Sequence, residues 1–123
     1  MLQRKIIYVD DKVMNLTLFN LNFRDKFDII LTESPAKAIE LIKDQDIKVI
    51  ITDYKMPGMN GMELINTVKL FRPDAVCMIL TGYPESDVVM DKTKLFKFIT
   101  KPFKKAEVII YIEEAFNLLN IVA

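Results

Sequence analysis

The side chains of this chain that could do chemistry together are three carboxylates, one hydroxyl and one amine. They lie at the ends of mainly apolar runs and belong to Asp10, Asp11, Asp53, Thr81 and Lys101. Packed into one partly desolvated cleft, three carboxylates repel one another, and a divalent cation that prefers oxygen ligands, above all Mg²⁺, relieves that repulsion. A cation, an amine and a hydroxyl around one carboxylate can hold a phosphoryl group while an oxygen of Asp53 attacks its phosphorus. The product of that chemistry is an aspartyl phosphate.

A regular alternation of strands and helices is needed to bring these residues together. Apolar and β-branched runs predict strands over 5–11, 27–32, 48–53, 75–81 and 95–100, and the spacing of apolar residues predicts helices over 12–26, 34–44, 60–72, 85–92 and 104–120. The helix over 85–92 is marginal because it is short and contains two valines. Five β-α units predict an α/β fold, in which helices cover both faces of a five-stranded parallel sheet and one cleft lies at the carboxyl ends of the strands.

Composition excludes several classes of protein. With 123 residues, of which 51% are apolar, the chain is predicted to form a single domain over 1–123. Its 17 basic and 17 acidic residues give a formal net charge of zero, which removes the electrostatic case for direct binding to nucleic acid or to a membrane surface. One cysteine fits a reducing compartment, and no apolar run approaches the ~20 residues that span a bilayer, so we expect a cytoplasmic protein. Because the chain has no histidine, histidine-based catalysis and a phosphohistidine relay through it are excluded.

Four motifs in order resemble those of the receiver domain of two-component response regulators. They are Asp10-Asp11, Asp53-Tyr54-Lys55-Met56-Pro57-Gly58-Met59-Asn60-Gly61, Thr81-Gly82, and Phe98-Ile99-Thr100-Lys101-Pro102-Phe103. No single motif is specific, but all four at these separations are, and the resemblance extends over 6–119. It implies a flavodoxin-like fold with strand order 2-1-3-4-5. It also implies a signalling switch rather than an enzyme, which accepts a phosphoryl group from a sensor histidine kinase or a histidine phosphotransfer protein.

The resemblance assigns a role to each matching residue. Asp53 is the implied phosphoacceptor. Asp11 is implied to bind Mg²⁺ directly and Asp10 mainly through water, while the backbone carbonyl of Lys55 adds a further ligand; Mn²⁺ is an expected substitute ion. Lys101 is implied to contact the phosphoryl group. Self-phosphorylation by small phosphodonors and slow loss of the phosphoryl group complete the expected chemistry.

A second set of implied roles concerns the response to phosphorylation. Thr81 is expected to move onto the phosphoryl group, Phe98 to turn inward into the vacated space, and the bond before Pro102 to be cis. The face formed by strand four, helix four, strand five and helix five is then expected to contact a downstream protein or a second copy of the chain. The sequence departs from the family pattern at this face in two ways. The interval from Thr81 to Lys101 is short, which predicts a short or mobile helix four. Phe98 lacks the hydroxyl of the tyrosine that is common at that position.

Two further hypotheses rest on residues near the predicted cleft. Helix one carries a second apolar face, formed by Met14, Leu18 and Leu21, which we interpret either as a packing contact or as the docking surface for a helical phosphodonor. Lys55 and Tyr83 lie two residues beyond Asp53 and Thr81, so they would flank the path of a hydrolytic water and lengthen the life of the phosphoryl group, unless both point to solvent.

Three alternative functions fit the sequence less well than the switch does. A small phosphatase with an aspartate nucleophile usually needs a second acid two residues later, and Lys55 stands there. A degenerate receiver would act as an interaction module that needs no phosphorylation, but the five site residues are all present. A nucleotide binder is disfavoured, because the three glycines of the chain form no phosphate-binding loop. Whether the domain acts alone, or as a receiver within a larger regulator or hybrid kinase, stays open.

Overall fold

In the computed structural model, which describes residues 4–120, five strands alternate with four α-helices. The strands are β1 (Lys5–Val9), β2 (Asp28–Thr32), β3 (Val49–Thr52), β4 (Val76–Thr81) and β5 (Lys97–Thr100), and the helices are α1 (Val13–Phe23), α2 (Pro35–Gln45), α3 (Gly61–Phe71) and α4 (Lys105–Leu118). No helix within these residues is long and apolar enough to cross a bilayer.

The five strands form one parallel sheet in the order β2-β1-β3-β4-β5, so the predicted fold class and strand order are confirmed. Val9 at the end of β1 pairs with Thr52 at the end of β3. Thr81 pairs with Thr100 where β4 and β5 end. The polar residues that follow β1, β3 and β5 therefore meet at the same edge of the sheet.

Each face of the sheet has its own hydrophobic core, because successive strand residues point to opposite sides. Ile6 and Tyr8 face one side, which packs against α1 and α4. Ile7 and Val9 face the other side, which packs against α2 and α3. Both faces of the central strands are thus buried, as the continuous apolar runs predict.

Local capping begins two of the helices at the predicted places. The Ser34 side chain accepts a hydrogen bond from the Lys37 N–H, and Pro35 occupies the first turn of α2. Asn60 and Glu63 form a capping box at the start of α3, in which each side chain accepts from the other residue's N–H.

The predicted helix over 85–92 is wrong. A single 3-10 turn, Glu85–Asp87, occupies its start, and residues 88–96 form neither helix nor strand. The stretch is too short to offset the cost of helix nucleation, and its valines disfavour the helical backbone. Met90 and Leu95 instead pack against the core shared with α2 and α3. The helix predicted as the fifth is therefore α4, and the predicted output face lacks one of its helices.

The buried face of α1 is formed by Leu16, Phe19 and Phe23, whereas Val13 at the start of the helix is 59% exposed.

Candidate functional site

Asp53 lies where β3 ends and is held there by the backbone. Its N–H donates to the carbonyl of Val9 at 2.8 Å, which ties the residue to the end of β1. The residue is 8% exposed, and its Oδ1 accepts from the Tyr54 N–H at 2.6 Å. The second oxygen, Oδ2, faces Lys101, whose Nζ lies 3.6 Å away. One oxygen is thus fixed and the other is presented toward a cation.

Asp10, Asp11 and Asp53 form a three-carboxylate cluster, as predicted. Each offers an oxygen within 4.8 Å of the others. The Oδ1 of Asp11 is buried, and no hydrogen-bond partner is found for it in the part of the chain that the structure describes. A buried unpaired carboxylate oxygen is costly unless something positive binds it. Clustered hard oxygen ligands of this kind fit a divalent cation such as Mg²⁺.

The carboxylate of Asp10 is fully buried and has three donors. Its Oδ1 accepts from the Lys12 N–H at 3.0 Å. Its Oδ2 accepts from the Tyr8 hydroxyl at 2.6 Å and from Lys101 Nζ at 3.0 Å. Burial alone would raise the pKa of Asp10, but the hydrogen bonds from Tyr8, Lys12 and Lys101 outweigh it, so the pKa is lowered and the group stays charged.

Tyr8 is the residue of this site that sequence reasoning missed. By sequence it is an ordinary member of the strand predicted over 5–11. A signal was present, because residues two apart in a strand point to the same side, and a tyrosine in an otherwise aliphatic strand precedes Asp10 by two positions.

Lys101 lies between two carboxylates. Its Nζ is 3.0 Å from Asp10 Oδ2 and 3.6 Å from Asp53 Oδ2. Its N–H donates to the carbonyl of Thr81 at 2.8 Å, and the Lys101–Pro102 peptide bond is cis. The amine therefore has two alternative partners within a short reach.

Thr81 ends β4, and Phe98 lies on the neighbouring strand β5. Thr81 is buried, and its hydroxyl oxygen accepts from the Tyr83 N–H at 3.2 Å. Phe98 is half-buried and packs against the core shared with α2 and α3. Thr81 lines the same cleft as Asp53.

The cleft at the strand ends has a volume of about 600 Å³. Asp11, Asp53, Lys55, Tyr83 and Lys101 are among its lining residues. The Lys55 amine donates to the Tyr83 hydroxyl at 3.2 Å and lies 5.1 Å from the centre of the Tyr83 ring. These two side chains therefore contact each other at the cleft wall, where their hydrogen bond is exposed.

The predicted second face of α1 is exposed. Met14, Leu18 and Leu21 are large apolar residues on the surface, and the Leu18 side chain is 49% exposed. Leu18 also lines a smaller hollow of about 220 Å³, whose wall includes Lys101 and Phe103. The apolar face therefore lies directly beside the carboxylate cleft.

Comparison with known proteins decides the family. The model of the response regulator receiver domain matches residues 6–113. This chain belongs to that receiver family. Receivers are phosphoacceptors of two-component systems that interact with histidine kinases and phosphotransfer proteins, and they bind Mg²⁺ in an acidic pocket.

Relatives of this receiver differ in length. The chemotaxis protein CheY homologue of Campylobacter jejuni is 32% identical over 109 residues, which make up 80% of this chain and 82% of that protein. The hydrogenase transcriptional regulatory protein HoxA of Bradyrhizobium diazoefficiens is 26% identical over 123 residues, or 98% of this chain and 25% of HoxA. The receiver thus spans about a quarter of HoxA. Among solved structures, a receiver domain from Clostridium thermocellum superposes with a TM-score of 0.87 at 26% identity, covering 97% of this chain and 98% of that one.

Proposed function

We propose that this receiver is a switch that takes a phosphoryl group onto Asp53 from a sensor histidine kinase or a histidine phosphotransfer protein. The observation that carries the proposal is the asymmetry of the Asp53 carboxylate. Its Oδ1 is engaged by a backbone N–H, whereas its Oδ2 faces Lys101; Asp11, with its unpaired oxygen, belongs to the same cluster. Oδ2 is therefore the nucleophile.

The transfer makes one bond and breaks one bond. A bond forms between Asp53 Oδ2 and phosphorus while the bond from phosphorus to the donor's imidazole nitrogen breaks, and the imidazole leaves. Lys101 is positioned to neutralise phosphoryl oxygens, and the Thr81 hydroxyl to donate to one of them. Small acyl phosphates are expected to donate in the same way, and water to remove the group slowly.

A Mg²⁺ ion would be held by the same edge of the sheet. Asp11 and Asp53 would bind it directly, the backbone carbonyl of Lys55 would add a ligand, and Asp10 would act through water, with Mn²⁺ accepted by the same oxygens. When bound, the ion supplies positive charge that stabilises the phosphoryl oxygens.

The experiment that tests the proposed function is the intact mass of the protein after incubation with acetyl phosphate. A gain of one phosphoryl group with Mg²⁺, no gain in excess chelator and no gain in Asp53→Asn are expected. A gain that persists in Asp53→Asn would overturn the assignment of the acceptor.

The output of the switch is proposed to pass through the edge of the sheet that carries β4, β5 and α4. Movement of Thr81 toward the phosphoryl group would open space for the half-buried Phe98. The Val89 N–H donates to the Tyr54 hydroxyl at 3.4 Å, which connects the 88–96 segment to the residue after the acceptor. A downstream protein or a second copy of the chain would recognise the changed surface.

The proposed organisation is one receiver domain over 1–123, working in the cytoplasm. The single cysteine, Cys77, is buried, and burial raises its thiol pKa to about 12, so it is an unreactive core residue. A free thiol with no bridging partner fits a reducing compartment.

The exposed face of α1 is proposed to dock the histidine phosphodonor. Leu18→Lys places a charge at the centre of that face, beside the cleft, and should slow transfer from the fastest donor in a panel of purified histidine kinases about tenfold. Phosphorylation by acetyl phosphate should stay normal, because Leu18 lies outside the carboxylate site. Leu70→Lys, on the far face of the sheet with its side chain 86% exposed, is the matched control. Equal transfer rates in both variants would remove the docking role.

The pair formed by Lys55 and Tyr83 is proposed to lengthen the life of the phosphoryl group. Their hydrogen bond and ring contact form part of the cleft wall, where a hydrolytic water would approach Asp53. Lys55→Asn combined with Tyr83→Ala should therefore speed dephosphorylation by about fivefold, a modest effect of positioning rather than of chemistry. The half-life of the phosphorylated protein, followed by mass after removal of donor, checks this. An unaltered half-life would contradict it.

A further inference from the structure

The hydroxyl of Tyr8 is buried beneath the carboxylate cluster. The side chain is 1% exposed, and its ring stacks on that of Phe19 with the centroids 4.2 Å apart and the planes at 17°. The hydroxyl contacts Asp10 Oδ2 at 2.6 Å. The stack holds the ring, so the position of the hydroxyl is set by the core between β1 and α1.

The direction of this hydrogen bond is fixed by chemistry. The hydroxyl is buried against the carboxylate of Asp10, so the group remains a phenol. A phenol beside a charged carboxylate donates its proton. Asp10 Oδ2 thus receives two side-chain donors, the Tyr8 hydroxyl and the Lys101 amine.

We propose that Tyr8 is a positioning residue that keeps Asp10 satisfied, so that Lys101 can leave it for the phosphoryl group on Asp53. This inference rests on the proposed function. In the structure the Lys101 amine is closer to Asp10, at 3.0 Å, than to Asp53, at 3.6 Å. Contact with phosphoryl oxygens on Asp53 draws the amine away from a fully buried carboxylate. Such a carboxylate resists losing a donor unless another remains.

Removing the Tyr8 hydroxyl should lower the rate of phosphorylation and raise the affinity for Mg²⁺. Asp10 keeps only the Lys12 N–H and the Lys101 amine, so Lys101 is held more tightly and phosphorylation slows. The cluster also becomes poorer in donors, so a bound Mg²⁺ relieves more unfavourable charge and binds more tightly. If Tyr8 served only core packing, removal of its hydroxyl would not raise the Mg²⁺ affinity while slowing phosphorylation.

The test is Tyr8→Phe, which deletes one oxygen and keeps the ring on Phe19. Mg²⁺ affinity of the unphosphorylated protein is measured by titration calorimetry with MgCl₂, and the rate of phosphorylation by acetyl phosphate is measured at saturating Mg²⁺. We expect Mg²⁺ to bind about fivefold more tightly and phosphorylation to be about fivefold slower. Thermal unfolding of the variant establishes that both measurements refer to folded protein.

Tyr111→Phe is the matched control, because Tyr111 lies on α4 beside Lys97, away from the carboxylates. It should leave both quantities at their wild-type values. Unchanged or weaker Mg²⁺ binding in Tyr8→Phe, or an unchanged rate at saturating Mg²⁺, would overturn the role of Tyr8. Failure of the wild-type protein to take up phosphate would instead overturn the proposed function, while the Mg²⁺ titration would still decide the role of Tyr8.

Discussion

Lys101→Met is expected to slow phosphorylation by acetyl phosphate about 100-fold at saturating Mg²⁺. The lysine is the only side-chain cation within the described residues that lies against Asp53, at 3.6 Å. Loss of a single group that stabilises transition-state charge in a confined site typically costs ~10²–10³ in rate. Methionine has a similar length and no charge, so the variant removes the interaction without opening a large space. The rate of mass gain measures the effect.

The control for this prediction is Lys104→Met, an exposed lysine that precedes α4. Its loss removes the same formal charge without touching the carboxylates, and the rate should stay within about twofold of wild type because surface charges are well screened. A Lys101→Met protein that is phosphorylated as fast as Lys104→Met would show that the amine takes no part in the transfer.

Gly61→Ala is expected to lower the free energy of unfolding by about 3 kcal/mol, at the upper end of the usual cost of overpacking. A Cβ on Gly61 would overlap the backbone oxygen of Asp53 and lie 3.1 Å from Tyr54 Cα. These are backbone atoms at the end of β3, so relief requires movement of the acceptor itself. Urea denaturation measures the stability, and phosphorylation by acetyl phosphate should slow in the same variant.

Gly82→Ala is the matched control for the glycine prediction. A Cβ there would meet no heavy atom within 4 Å, so the unfolding free energy should change by less than about 1 kcal/mol. If both alanine variants had equal stability, the close approach of the start of α3 to Asp53 would be contradicted.

The sequence was sufficient to predict the sheet and the carboxylate cluster. The strands are buried on both faces, so their apolar runs are continuous and end abruptly at Asp10 and Asp53. In a parallel sheet the carboxyl ends of all strands lie at the same edge, so the cluster is a consequence of the topology. Capping residues such as Ser34 and Asn60 also act locally and could be read directly.

The features that were not predicted depend on contacts between distant residues. The 88–96 segment has only a weak propensity for helix, and whether it forms one depends on how Met90 and Leu95 pack against the core. Tyr8 could be placed in a strand, but it shares an oxygen of Asp10 with Lys101, which is 91 positions away from Asp10 in the chain.

The central claim is that the phosphoryl group resides on an oxygen of Asp53, and borohydride trapping tests it most directly. The protein is phosphorylated by acetyl phosphate with Mg²⁺, reduced with borohydride, digested and sequenced by mass spectrometry. Reduction converts an aspartyl phosphate to homoserine, so homoserine is expected at position 53 and at no other aspartate. Homoserine at position 10 or 11, or phosphorylated protein without homoserine, would contradict the account.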